Sequence, residues 1–551
     1  MQKLRSLCFL IIGIFLFTGC TNPFKKDDSD GSGYLFTYTL IGNPQNLDPQ
    51  SATDKSSKII LRNMMQGLME EDENGQIITA AAKSYSISED FLTYTFVLRP
   101  DLYWYYDENH NSLIDDDETW QVTADDFVFA FQRIFNPDTK SPHIEKYKCL
   151  KNAQSIINGE TDYKEIGVYA ENPERITFQL DYANIEFLNL LASTSAMPCN
   201  QKFFEKTKGR YGLDEESVIS NGSFYMRRWF YDPYGNDNLI YMQCNDANSV
   251  SQRVFPSDLT FLIRNTDKQA EDLFSKEDSD ILTTAVGADE YQNKNKYEVS
   301  THYTSTLGLI FNPESETFSN PEVREALLRS AKMSAIDSAD GLDLKAANGL
   351  IPPEIYSGKE LYRSYIKEPE SEEYDKDSYT EILKNGMESL NIESLPSENI
   401  LICEKDVNSV VFYPMVQNWQ AELQFYAGIE TVSEEEFTYR LKSGEYSIAI
   451  YSLSGNENSP ASVLSKFKIG ENPFSYSNAD IDSKIKILDT AVNEKNLAEM
   501  CSEIEQEIIQ EKWFVPLFYK ANYFVHRDEN TEIKYNPYSG EINFRTAKHF
   551  E

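Results

Sequence analysis

Apolar residues along this chain follow two alternating periods. Two-residue alternation, or a short continuous apolar run, predicts strands at YLFTYTLI (34–41), YTFVLR (94–99), RITFQL (175–180), NLIYMQC (238–244), LGLIFN (307–312), SIAIYSL (447–453) and YFVHR (523–527). Apolar positions recurring every three or four residues predict helices over Lys58–Met69, Ala124–Phe135, Pro321–Met333, Tyr374–Leu390, Val410–Tyr426 and Ile481–Glu511. Two helix starts are marked locally. Thr123 precedes ADDFVFAFQRIF with Asp126 three residues on, the spacing of a capping box, and Phe127, Phe131 and Ile134 share one face. Pro321 follows Ser319-Asn320 at the first helical position, where a missing N–H leaves no bond unmade. Strands and helices mixed over this length without a repeat predict α/β lobes rather than a bundle or solenoid. The acidic stretches 354–379 and 392–399 read as surface loops or insertions.

The first residues break this pattern. Lys3 and Arg5 precede Leu7–Phe17, eleven residues without a charge. That run is too short for a bilayer, which takes roughly 20 residues. A basic start, a short apolar run and small residues at its end have the layout of a secretory signal. Cys20, directly after Thr18-Gly19, makes LFTGC resemble the lipobox of bacterial lipoproteins, with Phe17 where leucine is usual. The resemblance implies a signal peptide at 1–19, lipid on Cys20 and a tether over 20–33, whose TNPFKKDDSDGSG composition suits a flexible linker. The expected location is extracytoplasmic and lipid-anchored, on the outer face of the cytoplasmic membrane or in the periplasm.

Composition narrows the rest. With 551 residues, 40% hydrophobic and 13% aromatic, the chain has the material for two to four domains with large cores, which excludes general disorder. The 34 tyrosines and 32 phenylalanines suit β-rich lobes and a ring-lined cleft. A net charge of −38 repels nucleic acid and anionic lipid, so neither is an expected partner. Beyond the signal segment and Cys20, Cys149, Cys199, Cys244, Cys403 and Cys501 are widely spaced, without a CxxC. They form neither a disulfide framework nor a zinc site; most are expected to be small buried hydrophobes, with one chance pair left open.

A series of collinear segments carries a resemblance. NPQNLDP (43–49), MMQGLMEEDENGQI (64–77), SYSISEDFLTYTFVLRPDLYW (84–104), VTADDFVFAFQRIFNPDTKSP (122–142), SNGSF (220–224), FNPESETFSNPEVREAL (311–327), LIPP (350–353), SNADIDSKI (477–485) and EIIQEKWFVPLFY (507–519) resemble, in order, the oligopeptide-type extracellular solute-binding proteins of ABC importers. Most of these motifs read as scaffold: NLDP as an X-Pro turn, Asn221-Gly222 as a turn before a strand. The resemblance implies a periplasmic-binding-protein-like α/β fold with two lobes on a hinge. Its three-domain division would place domain I at 34–69, 191–299 and 515–551, domain II at 70–190 and domain III at 300–514. It implies an oligopeptide captured between the lobes, permease and ATPase subunits as partners, a monomer, and no required cofactor. A surface receptor that kept the fold, or a binder of a non-peptide solute, stays open as an alternative.

In that family an extended peptide backbone is paired as an added strand, and its ammonium is met by a carboxylate. The matching loop here is SLSGNENSPASVLSKF (452–467), where Asn456 stands in place of the acid and Glu457 is the adjacent carboxylate. The resemblance therefore nominates Ser454, Gly455, Asn456 and Glu457, together with His143 and the stretch Ala52, Thr53, Asp54 and Lys55; Ala52–Lys55 and Ser452–Gly455 are expected as strands offering backbone contacts. The insertion DENHNSLIDDDE (107–118) carries separate chemistry: Asp107, Asn109, Asn111, Asp115 and Glu118 stand at positions 1, 3, 5, 9 and 12 of an EF-hand loop. Leu113 would offer its carbonyl, while Ser112 replaces the usual glycine. A structural calcium is the expected ligand, with a solvated acidic loop as the alternative. HExxH, GxSxG, a P-loop and GxGxxG are all lacking, and His110, His143, His302, His526 and His549 are scattered, so no enzyme is expected.

Overall fold

The computed structural model describes residues 34–72, 76–111, 115, 117–248, 253–284, 288–292, 294–331, 344–369, 376–470, 472–474 and 476–549. The signal segment, Cys20, the tether and Leu113 lie outside them.

The organising element is an eleven-stranded mixed sheet. In spatial order it runs Phe224–Phe230, Leu239–Cys244, Pro256–Arg264, Tyr34–Ile41, Ile281–Thr284, Phe514–Arg527, Tyr297–Phe311, Ile448–Leu453, Glu398–Cys403 and Ala427–Val432, with Leu344–Ala346 added beside Phe514–Arg527. Two of these strands are far longer than the rest: Tyr297–Phe311 has 15 residues and Phe514–Arg527 has 14. They pair with each other antiparallel, and each belongs to both halves of the sheet. Tyr523–His526 pairs with Ile281–Thr284 in one half, while Thr306–Phe311 pairs with Ile448–Leu453 in the other. The segment 312–513 is thus a second lobe entered and left through two adjacent strands. Each lobe has its own core, around Phe36, Leu61 and Phe127 in the first and around Leu401, Ile504 and Trp419 in the second.

Pairing slips where the sheet passes between the lobes, between Tyr303 and Ser305 and between Leu307 and Gly308. Gly308 faces Pro516, which has no N–H to give. A Cβ on Gly308 would lie 2.2 Å from Cζ of Phe514, so only glycine lets that ring cross.

Within the first lobe, a four-stranded antiparallel sheet orders Ala82–Ile87, Thr93–Leu98, Arg175–Gln179 and Val168–Asn172, with helix Ala124–Phe135 packed on it. The Thr123 N–H donates to Asp126 Oδ2 at 2.8 Å, and Asn320 accepts from Glu322 N and Val323 N ahead of Pro321, as the local signals predict. Several helix boundaries differ: the helix opened by Pro321, expected to run to Met333, ends at Ser330 with Ala331 as its C-cap. The first helix is Lys55–Met64, because Asp54 caps it from Ser57 N, and Met69 begins strand Met69–Glu71. The long run 481–511 splits into Ala479–Lys486, a 3-10 turn Leu488–Thr490 and Glu494–Glu511, since Asn493 accepts from Asn496 N and starts a new helix. A 3-10 turn, Ser409–Phe412, precedes helix Tyr413–Leu423. Among the described residues no helix is long and apolar enough to cross a membrane.

Two quoted motifs prove to be joints. SNGSF grips the end of the first helix: Asn221 exchanges two bonds with the Gln66 backbone, and a Cβ on Gly222 would meet the Met64 carbonyl at 2.5 Å. Asp48 of NLDP meets Arg133 of FVFAFQRIF in a bidentate pair at 2.9 and 2.5 Å, with both residues buried. Gln50 Oε1 accepts from the same guanidinium at 2.7 Å, and Phe204 lies under it with its centroid 4.2 Å away.

Candidate functional site

The Asp48–Arg133 joint fixes the turn that leads to the lobe boundary. Past it, Ala52–Lys55 is not a strand: Ala52 is buried, Thr53 is exposed, Asp54 is the N-cap and Lys55 opens the helix. The Asp-Lys-Ser-Ser sequence offers a cap that competes with extended pairing. Ser452 and Leu453 end strand Ile448–Leu453, while Ser454 and Gly455 lie beyond it in the turn closed by Ser462, whose Oγ accepts from Asn456 N and Glu457 N. The turn faces a 3-10 helix of the first lobe, Ile144–Tyr147.

Two of the nominated groups meet directly. His143 Nε2–H donates to the Ala52 carbonyl at 3.1 Å. Burial, then the nearby Lys146 charge, hold the imidazole down to about 4, so it is neutral at physiological pH. Asn456 and Glu457 are engaged by lysines of the chain. Lys146 Nζ forms an ion pair with Glu457 Oε1 across the lobe boundary, the two side chains being 18% and 31% exposed. Lys466 Nζ donates to Asn456 Oδ1 at 3.0 Å. Although burial pulls Lys146 down, Glu457, with Tyr147 and Glu541, more than offsets it, and the ammonium is held above its usual range.

Further contacts join the lobes around this pair. Tyr182 OH donates to Asp489 Oδ2 at 2.5 Å, and Ile185 packs on the second lobe's core. Glu186 Oε1, in the same stretch, is shut off from solvent without a hydrogen-bond partner. Burial pushes that carboxyl up to about 7, and Glu457 and Asp489 add to the shift. Glu71 is likewise pushed up to about 7 by burial, against the pull of Arg62, which is itself paired with Glu541 at 2.6 Å. The lobe boundary therefore holds several carboxylates served by few cations. Lys146, Glu71 and Glu186 escape sequence reasoning; no spacing marks them, and only the fold brings them together.

The 107–118 loop gathers its donors on one another. Asn109 and Asn111 donate to Asp115 Oδ2 at 2.7 and 3.0 Å, Glu118 Oε1 accepts from Glu108 N and Asn109 N, and Asp107 pairs with Arg227. Among the described residues no three His, Cys, Asp or Glu side chains form a metal-holding group. The sixth ligand position, the Leu113 carbonyl, lies outside the described residues. Cys149, Cys199, Cys403 and Cys501 are buried, as small hydrophobes would be.

Comparison with known proteins follows the same architecture. The chain is 23% identical over 542 residues to the oligopeptide-binding protein OppA of Bacillus subtilis, covering 96% of this chain and 95% of that protein. Among solved structures it superposes on Haemophilus influenzae OppA in complex with RPPGFSPFR, with TM-score 0.73, 20% identity and coverage of 96% and 100%. It also superposes on the Escherichia coli murein tripeptide binding protein MppA, with TM-score 0.74, 19% identity and coverage of 94% and 99%. A family model for bacterial extracellular solute-binding proteins, family 5 Middle, matches residues 76–474. The two lobes on a paired-strand hinge, the lined boundary between them and this match lead to one conclusion: the chain belongs to the bacterial extracellular solute-binding proteins of family 5.

Proposed function

We propose that this protein is the substrate-binding lipoprotein of an ABC importer, capturing oligopeptides between its lobes and delivering them to permease subunits, with ATP hydrolysis on other chains. The observation that carries the reading is the architecture. A second lobe hangs on two strands and faces the first across a boundary lined by 52–55, 143–146 and 452–457, a geometry suited to closing on a ligand. The whole-chain likeness to a protein named for oligopeptide binding supports the peptide class. The match to a family of solute-binding proteins supports binding, rather than catalysis, as the chemistry of the boundary. Titration calorimetry with defined peptide pools tests this; no heat and no thermal shift with any pool would remove the peptide claim.

The Lys146–Glu457 and Lys466–Asn456 contacts favour a second reading, a receptor or a binder of a non-peptide solute that kept the fold. A ligand other than a peptide in protein purified from its native host would establish it. Lipid on Cys20 is part of the proposal, supported by the LFTGC step; mass spectrometry of the mature N-terminal fragment, and release of Cys20→Ala from membranes, test it. So is the division into domain I (34–69, 191–299, 515–551), domain II (70–190) and domain III (300–514), which the separate core of the second lobe supports.

A further inference from the structure

An acid that is to hold a ligand's amino terminus must be free of cations from its own chain. In the 452–460 turn neither candidate acceptor is. Asn456 is neutral and takes Lys466, while Glu457 takes Lys146 from the opposite lobe. The two partners stand 311 positions apart in sequence and come from opposite lobes. Lys146 sits on a short helical turn whose neighbour Tyr147 is fully buried and bonded to Ser195 Oγ at 2.8 Å, which fixes where the lysine stem emerges. On the other side, Ser462 Oγ holds the Glu457 backbone. The pair is thus placed from both lobes. Its surroundings, Glu71, Glu186 and Asp489, are acidic, so the seat attracts a cation and the chain supplies one.

We propose that Lys146 determines the ligand class: its ammonium fills the seat on Glu457 that a ligand's amino terminus would take, so the protein selects ligands with a blocked or absent amine at that end. This rests on the oligopeptide reading for its substrate, but not for its chemistry. An incoming free ammonium would have to compete with the tethered Lys146 for Glu457, a competition a blocked end avoids. Losing Lys146 exposes Glu457 and turns the same site into an amine reader.

The test compares trialanine with N-acetyl-trialanine, by calorimetry, on wild type, Lys146→Met and Lys146→Met/Glu457→Gln. Wild type is expected to bind the acetylated form at least as well as the free amine. Lys146→Met should favour the free amine by about thirtyfold, and the double variant should lose that preference. A wild-type preference for the free amine that Lys146→Met leaves unaltered would overturn the proposal. A second arm needs no peptide. Butylammonium chloride, against equal sodium chloride, should raise the melting temperature of Lys146→Ala but not of wild type or Lys146→Ala/Glu457→Gln. If neither tripeptide binds wild type, the peptide reading is what fails for these probes, and the amine arm still decides the role of Lys146; no rescue of Lys146→Ala there would refute it.

Discussion

Asp48→Asn keeps the shape of the buried side chain and removes its charge, leaving the Arg133 guanidinium without a counter-ion. Arg133 is 5% exposed and Asp48 7%, and the guanidinium's remaining bonds go to neutral groups, Gln50 Oε1 and Cys199 Sγ. Removing one partner of such a pair costs about 3–5 kcal/mol, because the other charge stays buried. With a urea slope of about 3 kcal/mol/M for the lobe, the midpoint of its unfolding transition falls by about 1–1.7 M. Urea titration followed by tryptophan fluorescence reads this shift. The double variant Asp48→Leu/Arg133→Met, which removes both charges, is expected to be less destabilised than either single change that strands one of them. A midpoint within about 0.3 M of wild type for Asp48→Asn would refute the reasoning, since a buried guanidinium cannot lose its carboxylate so cheaply. Because Gln50 and Asp48 also shape the turn before Ala52, the variant should weaken ligand binding at urea concentrations where the fold is intact.

The remaining expectations are narrower. Glu71 and Glu186 titrate near 7 in the folded protein against an ordinary 4.5, so the folded state holds extra protons between those values and stability falls as pH rises through that window. Glu186→Gln, facing Glu457, Asp489 and Ser459, should therefore raise the unfolding free energy at pH 8 by up to about 3 kcal/mol and by much less at pH 5; equal shifts at both would contradict the burial argument. His143 acts in the opposite direction: held neutral down to about 4, it lowers stability as pH falls from 6.5, and His143→Gln should remove that part of the acid loss. We propose calcium as the ligand of the 107–118 loop: added calcium should raise the melting temperature, by about 2.7 kcal/mol of stabilisation at a hundredfold excess over Kd, and Glu118→Gln should abolish the response. A flat calcium titration would leave the loop as hydrogen-bonded acid. Gly308→Ala should lower the unfolding free energy by about 1–3 kcal/mol, because its methyl meets the Phe514 ring; a neutral outcome in the same urea titration would mean that the strand pair shifts freely.

Local chemistry was legible in the sequence, and long-range chemistry was not. Thr123, Asp126, Asn320 and Pro321 specify their helix ends within four residues, and strand Tyr34–Ile41 follows from its own alternation. The boundaries that moved were decided by competing caps: Asp54 pulled a helix forward into an expected strand, and Asn493 divided a run whose apolar period is unbroken. The α/β class and the family were carried by the order of the motifs, and the motifs turned out to be joints such as Asp48–Arg133. The site was harder. His143 and Ala52 do meet, yet Lys146 has no mark in SPHIEKY, and its importance comes from a partner in the other lobe.

Both ends of the described chain lie in one place. Tyr34–Ile41 is an interior strand of the first lobe, and its Phe36 stacks on His549 at 4.2 Å and touches Phe544. Strand Phe514–Arg527, which borders Ile281–Thr284, also comes late. A chain emerging from its N-terminus can complete the 312–513 lobe from contiguous residues, but the first lobe stays open until Phe544 and His549 appear. Its contacts span the greatest separations the chain has, which slows their formation. Residues 542–549 therefore act as a bolt for the first lobe: a chain cut before Ile542 should leave that lobe open while the 312–513 lobe can already pack.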